Sequence, residues 1–278
     1  MGGRLKTAGL SKAVETLVEA AGARLDGSPL GVFLDIDGTL APIASRPEDA
    51  GVPPTTLAVL RRLVDLPQTS VALVTGRSAE NALEMVDVAG TWIIGNHGLE
   101  LRSPDGVLTA MPEVAAYEGA VAKARAELEA AIVSIPGAFV ENKRWSLSVH
   151  YRLSDPSFVP YVKEAAQRVA REMRLRTLDG KMVVELRPPL DTNKGTASVA
   201  LAQRITADRN GASLINAGDD RTDEDAFEAL RAFNKDAVTI RVGDGERVPV
   251  PTHAEFTLDS PDELRQLLEW LVARRGRD

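Results

Sequence analysis

Val32-Phe33-Leu34-Asp35-Ile36-Asp37-Gly38-Thr39-Leu40 is the stretch whose reading decides the fold. An apolar run that ends in two acids, a glycine and a threonine reads as a buried strand running out into a reactive loop. Side chains alternate along a strand, so Asp35 and Asp37 leave the backbone on the same side, and Gly38 lets the chain turn sharply beyond them. Two carboxylates at the mouth of an apolar strand repel each other and call for a cation, a shared proton or a division of labour. The simpler alternative is an Asx-type turn after a strand, which a bare Asp-x-Asp suits equally well. Three later stretches decide between the two.

Immediately downstream, Pro53-Pro54 opens a helix with Leu57, Leu60, Leu63 and Val64 on one face, and Val71-Ala72-Leu73-Val74 follows as a second buried strand. A continuous apolar strand after a crossover helix predicts a parallel sheet covered on both faces. That strand ends in Thr75-Gly76-Arg77. In such sheets ligands collect beyond the carboxyl ends of the strands, which sets Thr75 beside Asp35 and Asp37. A hydroxyl, a glycine and Ser78 opening the next helix offer O–H and N–H groups to an anion. A helix containing Leu83 and Val86 and a strand Trp92-Ile93-Ile94 then lead to Gly95-Asn96-His97-Gly98, where His97 is a ligand candidate. Upstream, Val14, Leu17, Val18, Ala21 and Leu25 recur at helical spacing over residues 11 to 25, predicting an amphipathic helix on the outside of the core.

Between residues 100 and 190 the pattern changes. A long helix (Tyr117, Val121, Ala124, Leu128, Ile132) precedes a strand from Phe139 to Asn142. Ser146 to Arg152 alternates strictly, with Leu147, Val149 and Tyr151 on one side and Ser146, Ser148, His150 and Arg152 on the other, the pattern of a half-exposed strand. A helix over residues 157 to 173 and a hairpin presenting Val183, Glu185 and Arg187 on one side complete an α-β-β-α-β-β order, a small antiparallel sheet backed by two helices. The fold class is therefore α/β: a doubly wound, Rossmann-like parallel-sheet core with an inserted α+β cap domain. The predicted boundaries are an N-terminal helix over residues 1–28, a core over 29–107 and 189–278, and a cap over 108–188.

The doubly wound pattern resumes at Asp191-Thr192-Asn193-Lys194-Gly195, which opens a helix through Leu201 and Ile205. A strand Leu214 to Ala217 then ends in Gly218-Asp219-Asp220, and Thr222-Asp223-Glu224-Asp225 starts a helix with Ala226, Phe227, Leu230 and Phe233 on its apolar face. Val238 to Val242 reads as the last clear strand, and Ser260-Pro261-Asp262-Glu263 as the capping box of a terminal helix. The architecture brings Asp219 and Asp220 near Asp35 and Asp37. The repulsion of four carboxylates is relieved by a hard divalent ion bound through oxygen, and Mg2+ suits a site with few carboxylates, several waters and a substrate phosphate. With Lys194 as a fixed positive charge and Thr75 as a hydroxyl donor, these are the parts phosphoryl transfer needs. The competing reading makes Asp219-Asp220 and Asp223-Glu224 simple caps of a helix dipole.

Composition sets outer limits. The 278 residues carry a formal net charge of -7 and no cysteine. No basic block offsets the acids, which argues against a nucleic-acid partner. The absence of cysteine excludes disulfides and thiolate chemistry. No apolar run reaches the ~20 residues of a membrane span, and the expectation is a cytoplasmic monomer without a membrane partner.

The order Asp35-x-Asp37-Gly38-Thr39, Thr75-Gly76-Arg77, Lys194 and Gly218-Asp219-Asp220 resembles the haloacid dehalogenase superfamily of Mg2+ phosphohydrolases. Glu141-Asn142-Lys143, the run SLSVHYR over residues 146–152, Gly180-Lys181 with Glu185, Asn193-Lys194-Gly195 and GDDRTDEDAF over residues 218–227 are similar to the trehalose-6-phosphate phosphatase family. The resemblance implies that Asp35 attacks phosphorus, that Asp37 protonates the leaving hydroxyl and then activates water, and that Thr75 and Lys194 bind phosphoryl oxygens. It also implies a Mg2+ held by Asp35, the Asp37 carbonyl and Asp219, with Asp220 and Asp223 behind them. The partner would be a phosphorylated disaccharide bound with help from Gly76, Arg77 and His97, while Glu141, Lys143, Lys181 and Glu185 of the cap address its sugar. Trp145 stands where a small residue, commonly Gly, is expected. Two rivals to this reading are a capped phosphatase for another phosphorylated sugar and a phospho-accepting receiver domain; the latter needs no equivalent of Asp37 and carries no such insertion.

Overall fold

Leu30–Leu34 is buried along its whole length, as befits a strand inside a sheet covered on both faces. The computed structural model describes residues 9–44, 51–206, 211–243 and 251–276. The chain divides into two compact units, one from Met1–Leu108 and Thr192–Asp278 and the other from Thr109–Asp191. In chain order the first segment holds α1 (Lys12–Ala21), β1 (Leu30–Leu34), α2 (Pro54–Val64), β2 (Thr69–Val74), α3 (Ala79–Val86), β3 (Trp92–Gly95) and β4 (Glu100–Arg102), and β5 (Leu108–Ala110) begins at its last residue and continues past the boundary. The second unit contains α4 (Glu118–Ile132), β6 (Phe139–Asn142), β7 (Leu147–His150), α5 (Val159–Glu172), β8 (Arg176–Gly180) and β9 (Val183–Arg187). The chain then returns to the first unit with α6 (Lys194–Thr206), β10 (Ser213–Gly218), α7 (Arg221–Phe233), β11 (Val238–Val242), β12 (Phe256–Leu258) and α8 (Pro261–Arg275).

The larger sheet has the order β12-β11-β10-β1-β2-β3-β4-β5. Every pairing from β12 to β3 is parallel, and β4 turns back antiparallel on β3. Alternation along β1 sends Val32 and Leu34 to a core shared with α1, α2, α3 and α8, and Phe33 to a separate core under α6 and α7. Helices therefore cover both faces: β1 leads through α2 and α3 on one face to β2 and β3, whereas β10 leads through α7 on the other face to β11, so the crossover direction reverses between the neighbours β1 and β10. In open α/β sheets such a crossover leaves a crevice beyond the strand ends.

α1 is shorter than the predicted span. It closes at Ala21 and continues as a tight 3-10 turn over Gly22–Leu25, and Val14, Leu17, Ala21 and Leu25 are buried in the first unit's core. Residues 1–8 lie outside the described chain. β12 escaped the sequence reading because three residues are too few to show a period. Two local expectations are corrected. Phe233 is 39% exposed, because it falls in the last turn of α7 where the helix runs past its core. At α8, Ser260 accepts from the Glu263 amide, whereas the Glu263 carboxylate reaches back to the Asp259 amide.

In the second unit the sheet order is β6-β7-β9-β8, all antiparallel. Leu147, Val149, Val184 and Leu186 face a core made with α4 and α5. Ser146 and Ser148 were expected on a half-exposed face, yet both are buried. Glu185 stands opposite Ser148 in register and accepts a hydrogen bond from Ser146, so the polar face encloses its own smallest members.

Candidate active site

β1 ends at Leu34, and the Asp35 amide extends the ladder by donating to the Ala217 carbonyl at 2.9 Å. This fixes the Asp35 side chain in register with the end of β10. The loop then closes on itself: the amides of Leu40 and Ala41 both donate to the Ile36 carbonyl at 2.9 Å, and that of Gly38 donates to Ala41 at 2.8 Å. Gly38 has φ +81°, and a Cβ built there would lie 2.2 Å from Asp219 Oδ2. Only a glycine lets the Asp219 carboxylate lie against this turn.

Lys194 opens α6 with its side chain 2% exposed, and its Nζ donates to Asp35 Oδ1 and to Asp223 Oδ1, each at 2.8 Å. Asp223 Oδ2 in turn accepts from the amides of Asp219 and Asp220. Asp220 is the N-cap of α7, accepting from the amides of Thr222 and Asp223, and the two aspartates form a reciprocal capping box. Helix capping and charge clustering are thus one structure here, not alternatives. Carboxylate oxygens of Asp35, Asp219 and Asp223 all lie within 4.8 Å of one another.

Burial is the largest influence on the Asp35 carboxyl. Lys194 opposes it, and the charges of Asp219, Asp220 and Asp37 reinforce it, leaving Asp35 raised to about 7. Burial likewise raises Asp223 well above the usual carboxylate range despite Lys194. The Lys194 ammonium would be weakened by its own burial, but Asp223, Asp35 and Asp220 outweigh that and hold it well above its ordinary value. Asp220 keeps part of its surface exposed while its carboxyl end is tucked among amides. There desolvation pushes up, and Lys194 with hydrogen bonds from Thr222 and Asp223 pulls the group down to about 2. The two acids that Lys194 touches are therefore the two that resist ionisation, the state expected of groups awaiting more positive charge.

The Thr75 hydroxyl is buried at the end of β2, and its Oγ1 accepts from the Arg77 amide at 3.1 Å. Arg77 makes a two-pronged pair with Asp37, Nε to Oδ2 and Nη2 to Oδ1, both at 2.7 Å, and its Nη1 donates to Asn81 at 2.6 Å. Asn96 and His97 are consecutive left-handed residues, with φ +50° and +54°. That turn carries the His97 ring over Gly76, where a Cβ would meet Nε2 at 2.4 Å. Glu100 braces the turn, accepting from the Ala79 amide at 2.6 Å and from Asn96 Nδ2 at 2.9 Å. Asp35, Asp37, Thr75, Gly76, Arg77, His97, Lys194, Asp219 and Asp220 thus gather in the first unit. Sequence reasoning missed Asn81 and Glu100; the one available signal was Asn81's spacing four residues after Arg77.

In the second unit, Lys143 Nζ lies 3.5 Å from Glu185 Oε1, and Glu141 Oε2 lies 2.8 Å from His150 Nε2. Glu141 and Glu185 share the polar face, since each stands opposite Ser148 in register. Lys181 is exposed at the β8–β9 turn, where its carbonyl accepts from Arg152. In the β6–β7 turn the residue whose backbone favours glycine is Arg144, with φ +69°. Trp145 beside it is buried with the Arg144 guanidinium 4.4 Å over its ring.

A parallel sheet with paired aspartates after its central strand, a lysine and an acidic helix start at the neighbouring strand ends, and an inserted antiparallel unit place the chain by fold in the haloacid dehalogenase superfamily. Residues 33–262 match the family model described as trehalose-phosphatase, and the chain belongs to that family. It is 36% identical over 257 residues to a trehalose-phosphate phosphatase of Mycobacterium avium, an alignment covering 91% of this chain and 64% of the relative. The chain thus spans less than two thirds of the length of that curated relative. A crystal structure of a trehalose-6-phosphate phosphatase related protein superposes with TM-score 0.75 at 29% identity, covering 87% of this chain and 97% of the other. The C-terminal domain of the Candida albicans trehalose-6-phosphate phosphatase shares the fold, with TM-score 0.76 at 21% identity over 95% of this chain and 98% of that one.

Proposed function

We propose that this chain hydrolyses trehalose 6-phosphate to trehalose and phosphate, with the phosphoryl group carried in transit on Asp35. The observation that carries the proposal is the Lys194 ammonium bridging the buried Asp35 and Asp223 at 2.8 Å each, at strand ends where a phosphate would meet Thr75 and the Gly76 turn. Family membership supports the choice of sugar.

The donor set fits Mg2+: three carboxylates within 4.8 Å, all hard oxygen ligands, with two of them pushed toward protonation by a deficit of positive charge. Asp35, Asp219 and Asp223, with the Asp37 carbonyl, are the groups to hold it, and Asp220 adds negative charge behind them. Bound there, the ion supplies positive charge that keeps Asp35 ionised and offsets the phosphoryl oxygens.

In the first half-reaction an Asp35 oxygen forms a bond to phosphorus as the bond from phosphorus to the sugar oxygen breaks, and Asp37 gives that oxygen its proton. In the second, water loses a proton to Asp37 and attacks phosphorus, and the Asp35 acyl-phosphate bond breaks, so atoms and charges return to their starting state. Lys194 and Thr75 hold the phosphoryl oxygens, and Arg77 fixes where Asp37 stands. Glu141, Lys143, Lys181 and Glu185 address the sugar. A phosphate-release panel across trehalose 6-phosphate, sucrose 6-phosphate and glucose 6-phosphate tests the reading. The expected result is a kcat/KM for trehalose 6-phosphate at least ~10-fold above the others, on the scale of one charged hydrogen bond; a stronger preference for either other sugar overturns it.

A further inference from the structure

The polar face of the β6-β7-β9-β8 sheet carries an imidazole that none of the steps above uses. His150 stands opposite Phe139 in the β6–β7 register, and the two rings stack with centroids 4.6 Å apart and planes 12° apart. Its Nε2 lies 2.8 Å from Glu141 Oε2. A carboxylate only accepts, so Nε2 bears the proton and donates. Phe139 and Glu141 are two residues apart on β6 and share one face, so the ring is fixed in plane by one and in direction by the other. The side chains of His150 and Glu141 are 18% and 25% exposed, half-wet positions in which a glutamate without such a contact would sample several rotamers.

We propose that His150 is a positioning residue for substrate recognition: stacked on Phe139, it holds the Glu141 carboxylate in place before a sugar arrives. This rests on the reading that Glu141 contacts the sugar of trehalose 6-phosphate, and it makes the Phe139-His150-Glu141 row one unit. Ordering a long side chain on binding weakens affinity, and a contact that orders it beforehand removes that loss. Mutating His150 should therefore act through Glu141 and not beside it.

A double-mutant cycle in the full chain tests this, with p-nitrophenyl phosphate as a reference substrate lacking a sugar. Glu141→Ala should lower the ratio of kcat/KM for trehalose 6-phosphate over p-nitrophenyl phosphate by ~10-fold, and His150→Ala by about 3- to 10-fold. The double variant should match Glu141→Ala alone, and His150→Gln, which keeps an N–H donor, should lie closer to wild type than His150→Ala. Losses that multiply in the double variant overturn the proposal, as does a fall on both substrates together with a lowered melting temperature, which marks a purely structural role. No loss in Glu141→Ala, with wild type active on trehalose 6-phosphate, removes the sugar contact and this role with it. Wild type inactive on trehalose 6-phosphate but active on p-nitrophenyl phosphate overturns the functional reading itself.

Discussion

The two units solve opposite problems with the same residue types. In the first, Lys194 meets Asp35 and Asp223 at 2.8 Å with all three side chains 5% exposed or less. In the second, Lys143 meets Glu185 at 3.5 Å and His150 meets Glu141 with side chains up to 25% exposed. A buried ion pair brings little net stability, because desolvation offsets its attraction, yet leaving one partner alone is costly. The buried cluster is thus electrically strained, as suits the attack on phosphorus proposed for Asp35. The longer Lys143–Glu185 contact, with side chains 12% and 7% exposed, and the wetter His150–Glu141 pair suit a neutral, hydroxylated ligand, for which hydrogen-bond geometry matters more than charge. The contrast predicts that changes in the first region act on any phosphate ester, and changes in the second on the sugar alone.

The largest effect should come from Asp35→Asn. It removes the proposed nucleophile at constant volume and should cut turnover by ~10^4-fold on every phosphate ester, on the scale of losing one member of a catalytic set. Burial already favours an uncharged group there, so the melting temperature should hold or rise. Retained phosphate release would erase the distinction between the two regions. Metal removal comes next. Excess chelator should abolish activity on both substrate types and Mg2+ should restore it, whereas Ca2+, with a larger and looser shell, should inhibit. Full activity in chelator would take the ion out of the account.

Substitutions in the second region should have smaller, selective effects. Lys143→Ala or Glu185→Ala should lower the ratio of kcat/KM for trehalose 6-phosphate over p-nitrophenyl phosphate by ~10-fold, the worth of one charged hydrogen bond of about 1.5 to 3 kcal/mol. An unchanged ratio would show that the sugar is read elsewhere. The smallest effect concerns pH. Asp35 binds its proton more tightly folded, with a pKa of about 7, than unfolded, near ~3.9. Its stabilising contribution is full below the unfolded value and declines as pH rises through the folded one. In chelator, wild type should therefore lose melting temperature relative to Asp35→Asn between pH 5 and about 7.5, by a few degrees. The lowered pKa of Asp220 acts below that window, since its contribution is lost only as pH falls toward about 2. Parallel melting curves across pH would mean that Asp35 is not strained.

Much of this was legible in the sequence, for identifiable reasons. The buried parallel strands announce themselves as continuous apolar runs, and a carboxylate after such a run has few structural uses. The N-cap role of Asp220 was written in the spacing Asp220-x-x-Asp223, yet the same four letters also read as metal ligands, and only the structure shows both aspartates capping while the second oxygen of Asp223 turns to Lys194. Glu100 was invisible because its meaning depends on a left-handed turn at Asn96 and His97, and Asn81 showed only as a spacing of four from Arg77, whose reach the sequence does not give. The burial of Ser146 and Ser148 was hidden for a related reason, since alternation gives the face of a side chain but not what the facing strand lays over it.

The central claim is that phosphate passes through Asp35, and rapid-quench mass spectrometry of the enzyme during turnover of trehalose 6-phosphate tests it most directly. The account predicts a phosphoryl group on Asp35 that forms and decays at rates compatible with kcat, and that is absent from Asp35→Asn. A phosphoryl group on any other residue, or steady turnover with none on Asp35 at any quench time, would contradict it.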